Sequence, residues 1–213
     1  MITIYTFIGS PYGRAVQATC IEKGAPHRLV EVKPGGQRAP EHMARHPFAK
    51  APAIDHDGYG LYETQAILRY LDQVFPDPPL TPADPKARAR MNQAIGINDC
   101  YFFQRDAGVG LVFNRVIAPK LGFPSDEAAV TAALPGARRF VEVLAGYLDG
   151  RPYLAGEALS LADLHVAPQM QLLADCAEGA EMLQGTPIVA WLARLNARPG
   201  FKTTSWDALL EAA

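Results

Sequence analysis

Cysteine is scarce in this chain, and its few cysteines form no recognisable pattern. The three present, Cys20, Cys100 and Cys176, are widely spaced and include no Cys-x-x-Cys pair. Their odd number and spacing argue against a disulfide framework and against the usual zinc-binding pattern. Reduced thiols are typical of a cytoplasmic protein. We therefore expect a cytoplasmic location and no metal.

Long runs of one residue type are also missing. The formal net charge is −2, and no basic run points to a nucleic-acid partner or to electrostatic binding at a membrane. No apolar stretch approaches the roughly 20 residues that span a bilayer, and the first residues lack the charged start and apolar core of a signal peptide. With 213 residues, 49% of them hydrophobic and 20% charged, the chain has the composition of one large or two small globular domains.

The N-terminal third alternates between strand-like and helix-like segments. Strands are predicted at residues 2–7, 27–32, 52–55 and 59–62, the last two around an Asp-Gly hairpin signal. Helices are predicted at residues 12–23 and 66–75, and residues 40–45 have room for a short one. The order β-α-β-α-β-β-α predicts a small sheet with helices packed on it.

Prolines then mark a boundary, and the strand signals disappear. The segment between residues 76 and 85 is rich in proline, which cannot continue a helix and stiffens a connector. Helices are predicted within residues 86–122, at 126–148 with a break near 135, and at 161–174, 189–197 and 206–210. We predict an α/β domain at residues 1–76, a linker at 77–85 and an all-α domain at 86–213.

The loop after the first strand is the first candidate for chemistry. Residues 9–13 read Gly-Ser-Pro-Tyr-Gly, so Ser10 and Gly13 stand where a redox loop would carry its two cysteines. A helix start stabilises an anion through its N–H groups and dipole. Serine at this position is most often an N-cap, but its hydroxyl can also donate a hydrogen bond to a ligand's thiolate.

Two further elements suggest what that ligand is. A cis Ala51–Pro52 bond would expose the Ala51 N–H and C=O for pairing with a peptide-like ligand, whereas with a trans bond the proline would only occupy the edge of a strand. Glu63 and Thr64 precede a helix, where they either satisfy backbone N–H groups or bind the ammonium and carboxylate of an amino acid. A short peptide with a thiol and an amino-acid end would engage all of these elements.

Five segments in order resemble those of the glutathione transferases, most closely the serine-dependent phi-type and related bacterial members. They are Gly-Ser-Pro at residues 9–11, Pro-Gly-Gly-Gln-Arg at 34–38, His-Pro-Phe-Ala-Lys-Ala-Pro-Ala at 46–53, Leu-Tyr-Glu-Thr-Gln-Ala-Ile at 61–67 and Ser-Leu-Ala-Asp-Leu at 160–164. The resemblance covers nearly the whole chain. It implies a thioredoxin-like α/β domain that binds glutathione and an all-α domain that contributes the second-substrate pocket.

The resemblance also assigns roles to residues. Ser10 would stabilise the thiolate of glutathione, the co-substrate, for attack on a small electrophilic and hydrophobic molecule, and the protein would be a homodimer. The glutathione-binding residues would be Gln37, Arg38, Lys50, Ala51, Pro52, Glu63 and Thr64. Aromatic residues that either line the second-substrate pocket or belong to the core are Tyr12, Tyr101, Phe102 and Phe113.

Some positions depart from the family pattern. Gln37-Arg38 replaces the usual His-Lys, although arginine can form a bidentate pair with a carboxylate. Other reactions on the same site stay open, namely isomerisation, peroxide reduction or dehalogenation with glutathione, as does a non-catalytic binding module that kept the fold. Retention of Ser10, Arg38, Glu63 and Thr64 together favours an intact glutathione site.

Overall fold

The computed structural model describes residues 1–103 and 106–211 and divides the chain into two compact units. Unit 1 comprises Met1–Thr81 with Leu195–Ala213, and unit 2 comprises Pro82–Arg194. The division differs from the predicted domains in its last segment, because residues from 195 onward cluster with unit 1. Over the described ranges, every helix is too short or too polar to cross a membrane.

Unit 1 contains a mixed four-stranded sheet, as the alternating pattern predicts. Its strands are β1 (Ile2–Thr6), β2 (His27–Glu31), β3 (Ala53–His56) and β4 (Tyr59–Tyr62). They lie in the order β2-β1-β3-β4. Strands β1 and β2 are parallel, whereas β1–β3 and β3–β4 are antiparallel. The apolar side of the sheet lies in the core, since at most 2% of each of Ile2, Ile4 and Ile54 is exposed.

The helices of unit 1 come from both ends of the chain. They are α1 (Pro11–Glu22), α2 (Pro40–Arg45), α3 (Thr64–Val74), α10 (Pro199–Lys202) and α11 (Trp206–Glu211), with a 3₁₀ turn at Gly36–Arg38. The apolar face of α3 is buried through Ile67, Leu68 and Leu71. Helix α1 begins with Pro11, whose missing N–H costs nothing at a helix start.

Helix α1 approaches β1 closely at Gly13. A Cβ atom at Gly13 would lie 2.1 Å from Thr6 Oγ1 and 2.7 Å from Thr6 Cγ2. Only glycine allows this distance without displacement of the helix or the strand. Gly13 is therefore required by packing at the position where a redox loop would have its second cysteine.

Unit 2 is built from helices, as predicted. They are α4 (Pro85–Ile97), two π-helical segments (Asn98–Phe103 and Asp106–Ile117), α5 (Ala118–Lys120), α6 (Glu127–Tyr147), α7 (Leu161–Ala174), α8 (Ala177–Leu183) and α9 (Pro187–Asn196). The break expected near residue 135 is wrong, because α6 continues through Pro135. Buried residues on both sides of the proline, among them Ala133, Ala137 and Phe140, hold the two halves in one helix.

A buried carboxylate closes the start of α7. Asp163 is 0% exposed and accepts hydrogen bonds from the Ser160 N–H and hydroxyl, at 2.9 and 2.7 Å. It also accepts one from the Leu154 N–H and one from the Trp191 indole, both at 2.9 Å. The Ser-Leu-Ala-Asp segment therefore has a folding role, as its capping-box spacing predicts.

Candidate functional site

Ser10 is the N-cap of α1 and keeps a proton that it can donate. Its Oγ accepts a hydrogen bond from the Gly13 N–H at 3.1 Å, and its own N–H donates to the Phe7 carbonyl at 3.1 Å. A hydroxyl has one donor and two acceptor positions. Capping uses an acceptor position only, so the two roles that the sequence left open are compatible with each other.

The loop that precedes β3 has the geometry of a site for extended peptide. The Ala51–Pro52 bond is cis, the alternative that the sequence alone left undecided. Pro52 is buried, Ala51 is half-buried and the Lys50 side chain is exposed. The Lys50 carbonyl accepts a 2.7 Å hydrogen bond from His42 Nε2 on α2, so α2 fixes the loop just before the proline.

Glu63 and Thr64 stand at the start of α3 in an unusual conformation. Glu63 has a φ of +72°, which is uncommon for a residue with a side chain and costs on the order of 1–3 kcal/mol. Its carboxylate is exposed, while Thr64 is only 8% exposed. Such strained residues cluster at ligand clamps and active sites, which fits a binding role for Glu63.

Gln37 and Arg38 occupy the 3₁₀ turn that follows β2. Arg38 is exposed. Gln37 Oε1 is buried and has no hydrogen-bond partner among the residues that the structure describes. A buried polar atom without a partner is costly, so this amide oxygen is suited to receive a donor from a ligand.

The sheet register brings these four loops to one edge. Tyr5 of β1 pairs with Ala53 of β3, and Ala53 pairs with Tyr62 of β4. On the other side of β1, Thr6 pairs with Glu31 at the end of β2. The loops with Ser10, Ala51–Pro52, Glu63–Thr64 and Gln37–Arg38 therefore all start or end at the same edge of unit 1.

His46 places a buried imidazole beside this edge. The ring is 3% exposed and packs on Tyr62, with 4.8 Å between ring centroids. Burial lowers the pKa of His46 below its usual value, against an opposing attraction from the Glu63 carboxylate. A charge on His46 is therefore disfavoured next to the loop that leads to Pro52.

The aromatic candidates for a second-substrate pocket fall into two groups. Phe102 is 0% exposed and packs on Phe140 with 4.6 Å between ring centroids, so its pocket role is wrong and its core role holds. Tyr101 and Phe113 are 67% and 39% exposed on unit 2, and Tyr12 is half-buried on unit 1. For these three residues, pocket lining stays a prediction.

Sequence reasoning missed residues that act through tertiary contacts. His42 binds the Lys50 carbonyl, and Trp206 of α11 lies against Gly9, the neighbour of Ser10. A histidine on a short helix and a tryptophan near the chain end carry no local signal for these contacts. Within residues 1–103 and 106–211, no group of three or more His, Cys, Asp or Glu side chains is placed to hold a metal ion.

Comparisons with known proteins agree on one family. Residues 4–79 match the model of the glutathione S-transferase N-terminal domain, and residues 101–199 match that of the C-terminal domain. Glutathione S-transferase F10 of Arabidopsis thaliana is 30% identical over 210 residues, which cover 96% of each chain.

Solved structures give the same result. Glutathione transferase F2 of Populus trichocarpa has the same fold, with a TM-score of 0.87, full coverage of both chains and 21% identity. A glutathione S-transferase I bound with lactoylglutathione has a TM-score of 0.84 and 25% identity, over 98% of this chain and 99% of that one. The predicted resemblance is confirmed: this chain belongs to the glutathione S-transferase family.

Proposed function

We propose that this glutathione transferase uses the Ser10 hydroxyl to hold the sulfur of bound glutathione as a thiolate. The thiolate attacks the electrophilic carbon of a small hydrophobic molecule, a carbon–sulfur bond forms, and the leaving group departs with the bonding electrons. Ser10 stays neutral and acts only as a hydrogen-bond donor. The observation that carries this role is that Ser10, the N-cap of α1, accepts from the Gly13 N–H and so keeps its own hydroxyl proton to donate.

The other loops at the same sheet edge suit the rest of glutathione. The Glu63 carboxylate pairs with the ammonium of the glutamyl end, and Thr64 with the start of α3 binds its carboxylate. The backbone of Ala51 pairs with the cysteinyl unit beside Pro52. Arg38 takes the glycyl carboxylate, with Gln37 and Lys50 beside it. Support comes from the register that gathers these loops.

The free energy needed to hold the glutathione sulfur as a thiolate is moderate. A free thiol with a pKa of about 8.5 is only a few per cent thiolate at neutral pH. Lowering that pKa by about 2 units makes it mostly thiolate and corresponds to roughly 2.7 kcal/mol. A hydrogen bond to a charged group contributes about 1.5–3 kcal/mol, and a helix N-terminus adds about 0.3–1 kcal/mol. The two together are sufficient.

The experiment measures the pKa of the bound thiol from its ultraviolet absorbance. With Ser10→Ala, we expect that pKa to rise by about 1–2 units and turnover of chlorodinitrobenzene to fall about 3- to 25-fold at neutral pH, as the thiolate fraction falls from most of the thiol toward a few per cent. Retention on glutathione-agarose should persist, since the other loops are intact. Ser10→Thr is the matched control because it keeps both donor and cap. An unchanged thiol pKa in a folded Ser10→Ala variant would refute the role.

We propose further that the protein is a cytoplasmic homodimer. Phe48 is 68% exposed on the loop that leads to Pro52, and burial of this large apolar side chain against a second copy would stabilise a dimer. The cysteines Cys20, Cys100 and Cys176 are free thiols, as a reducing compartment keeps them. Sedimentation should give a dimer for the wild type and monomer for Phe48→Ser; a Phe48→Ser dimer of wild-type affinity would contradict this interface.

A further inference from the structure

The end of the chain lies along the whole of α1. We call residues 198–206 the terminal strap. At the C-terminal end of α1, the Arg198 guanidinium donates two hydrogen bonds to the Glu22 carboxylate, at 2.8 and 2.6 Å. In the middle, Gly200 packs on Ala18 so closely that a Cβ atom would lie 3.1 Å from the Ala18 carbonyl oxygen.

The first turn of α1 is held by the same strap. Arg14 Nη2 donates to the Phe201 carbonyl at 2.8 Å, and Arg14 Nε donates to Thr204 Oγ1 at 3.2 Å. Phe201 and Thr204 are 1% and 3% exposed. A bidentate ion pair at one end and two part-buried hydrogen bonds of Arg14 at the other fix the strap's position relative to α1.

The strap ends with Trp206 on the serine loop. A Cβ atom at Gly9 would lie 2.1 Å from Trp206 Cε3 and 2.4 Å from Cδ2 and Cζ3, so the benzene half of the indole lies against the Gly9 backbone. Gly9 has a φ of +83°, a conformation that glycine adopts freely and can also leave freely. The residue next to Ser10 thus has the most mobile type of backbone, and a rigid aromatic ring covers it.

We infer that Trp206 is a positioning residue for Ser10. It holds the peptide unit before Ser10 in place, and through it the direction in which the hydroxyl donates. Without the indole, Gly9 gains conformational freedom and the hydroxyl spends less time aimed at the sulfur. This inference rests on the proposed role of Ser10 as thiolate donor.

Trp206→Ala tests the inference in the full-length protein, with glutathione and chlorodinitrobenzene as substrates. We expect kcat/KM to fall about 2- to 10-fold, a smaller loss than in Ser10→Ala because the hydroxyl is misdirected rather than removed. The loss should lie mainly in kcat, since the loops that bind the ends of glutathione are untouched, and the pKa of the bound thiol should rise. Trp206→Phe keeps an aromatic face over Gly9, so its kcat and the pKa of its bound thiol should both lie close to the wild-type values.

Leu210→Ala is the matched control on the same helix, because Leu210 is 56% exposed, and it should behave as wild type. If Trp206→Ala does not fold, Thr204→Val, which removes an acceptor of Arg14, should raise the thiol pKa to a smaller extent. A folded Trp206→Ala protein with wild-type thiol pKa and kcat overturns the inference and leaves the function of Ser10 intact. If the wild-type protein neither binds glutathione nor turns over chlorodinitrobenzene, both proposals are refuted.

Discussion

A buried ion pair connects α1, α3 and the proline-rich segment after α3. The Lys23 side chain is 0% exposed, and its Nζ donates to Asp72 Oδ1 and to the Pro78 carbonyl, both at 2.6 Å. Asp72 Oδ1 also accepts from the Leu80 N–H at 2.9 Å. Lys23→Met keeps most of the side-chain volume and removes only the charge and its hydrogen bonds.

The expected loss follows from what the substitution leaves behind. The Asp72 side chain is 9% exposed, so the carboxylate would stay buried without its cation. Breaking a buried pair from one side costs about 3–5 kcal/mol of unfolding free energy. Replacing both partners, as in Lys23→Met with Asp72→Leu, should cost less than Lys23→Met alone, because no charge is then left buried and only the hydrogen bonds of the Leu80 N–H and the Pro78 carbonyl are lost.

Urea unfolding followed by far-ultraviolet circular dichroism measures these differences. Burial alone would raise the pKa of Asp72, but the hydrogen bonds from Lys23, Thr81 and Leu80 and the charge of Lys23 lower it overall. The stabilisation is therefore complete above the unfolded value of about 3.9 and is lost as pH falls through the lower folded pKa. A loss below about 1 kcal/mol for Lys23→Met at neutral pH, or a double variant as unstable as the single one, would refute the reasoning.

Three further predictions concern separate parts of the chain. Gly13→Ala should lower the free energy of unfolding in urea by about 1–3 kcal/mol, because its Cβ would lie 2.1 Å from Thr6 Oγ1. Adding Thr6→Ala should recover part of that loss. If the losses of the two single variants simply add in the double variant, the contact does not cause the effect. His42→Leu removes the donor to the Lys50 carbonyl. It should raise the KM for glutathione several-fold and leave kcat nearly unchanged, and His42→Gln should restore the KM. A wild-type KM in His42→Leu would exclude a positioning role for His42. Hydrogen bonds from Arg115 lower the pKa of Glu127 to about 2. The stabilisation that this ion pair gives the fold should therefore be complete above about pH 4.3 and vanish as the pH falls through about 2. A titration of the Glu127 carboxyl near pH 4.3, followed by NMR, would contradict this prediction.

Local patterns were sufficient to predict the sheet. Alternation of apolar residues placed β1, and the Asp-Gly turn placed the β3–β4 hairpin, each within about one residue of the observed bounds. Ser10 and the Glu63–Thr64 pair were predictable for a related reason, since a serine or an acid before a helix is a local signal. The clustering of their loops then follows from strand order alone.

Contacts between distant residues were beyond sequence reasoning. Arg198 and Glu22 are 176 positions apart, and nothing near either residue indicates that the chain end returns to α1. For the same reason, residues after 194 were predicted to belong to the helical domain, although they cluster with unit 1. The core position of Phe102 likewise depends on Phe140, which lies on another helix.

The loop around Ser10 shows why this chain has no two-cysteine redox loop at the start of α1. A second cysteine at position 13 would bring its Cβ within 2.1 Å of Thr6 Oγ1, so the close packing of α1 on β1 is incompatible with an unshifted two-cysteine loop. The N–H of the same glycine donates to the Ser10 Oγ that caps the helix, and this bond uses an acceptor position of the serine oxygen while its proton stays available. Packing at Gly13 therefore excludes an unshifted two-cysteine loop, while capping by Ser10 leaves a hydroxyl proton at the helix start for the thiolate that we propose as its acceptor.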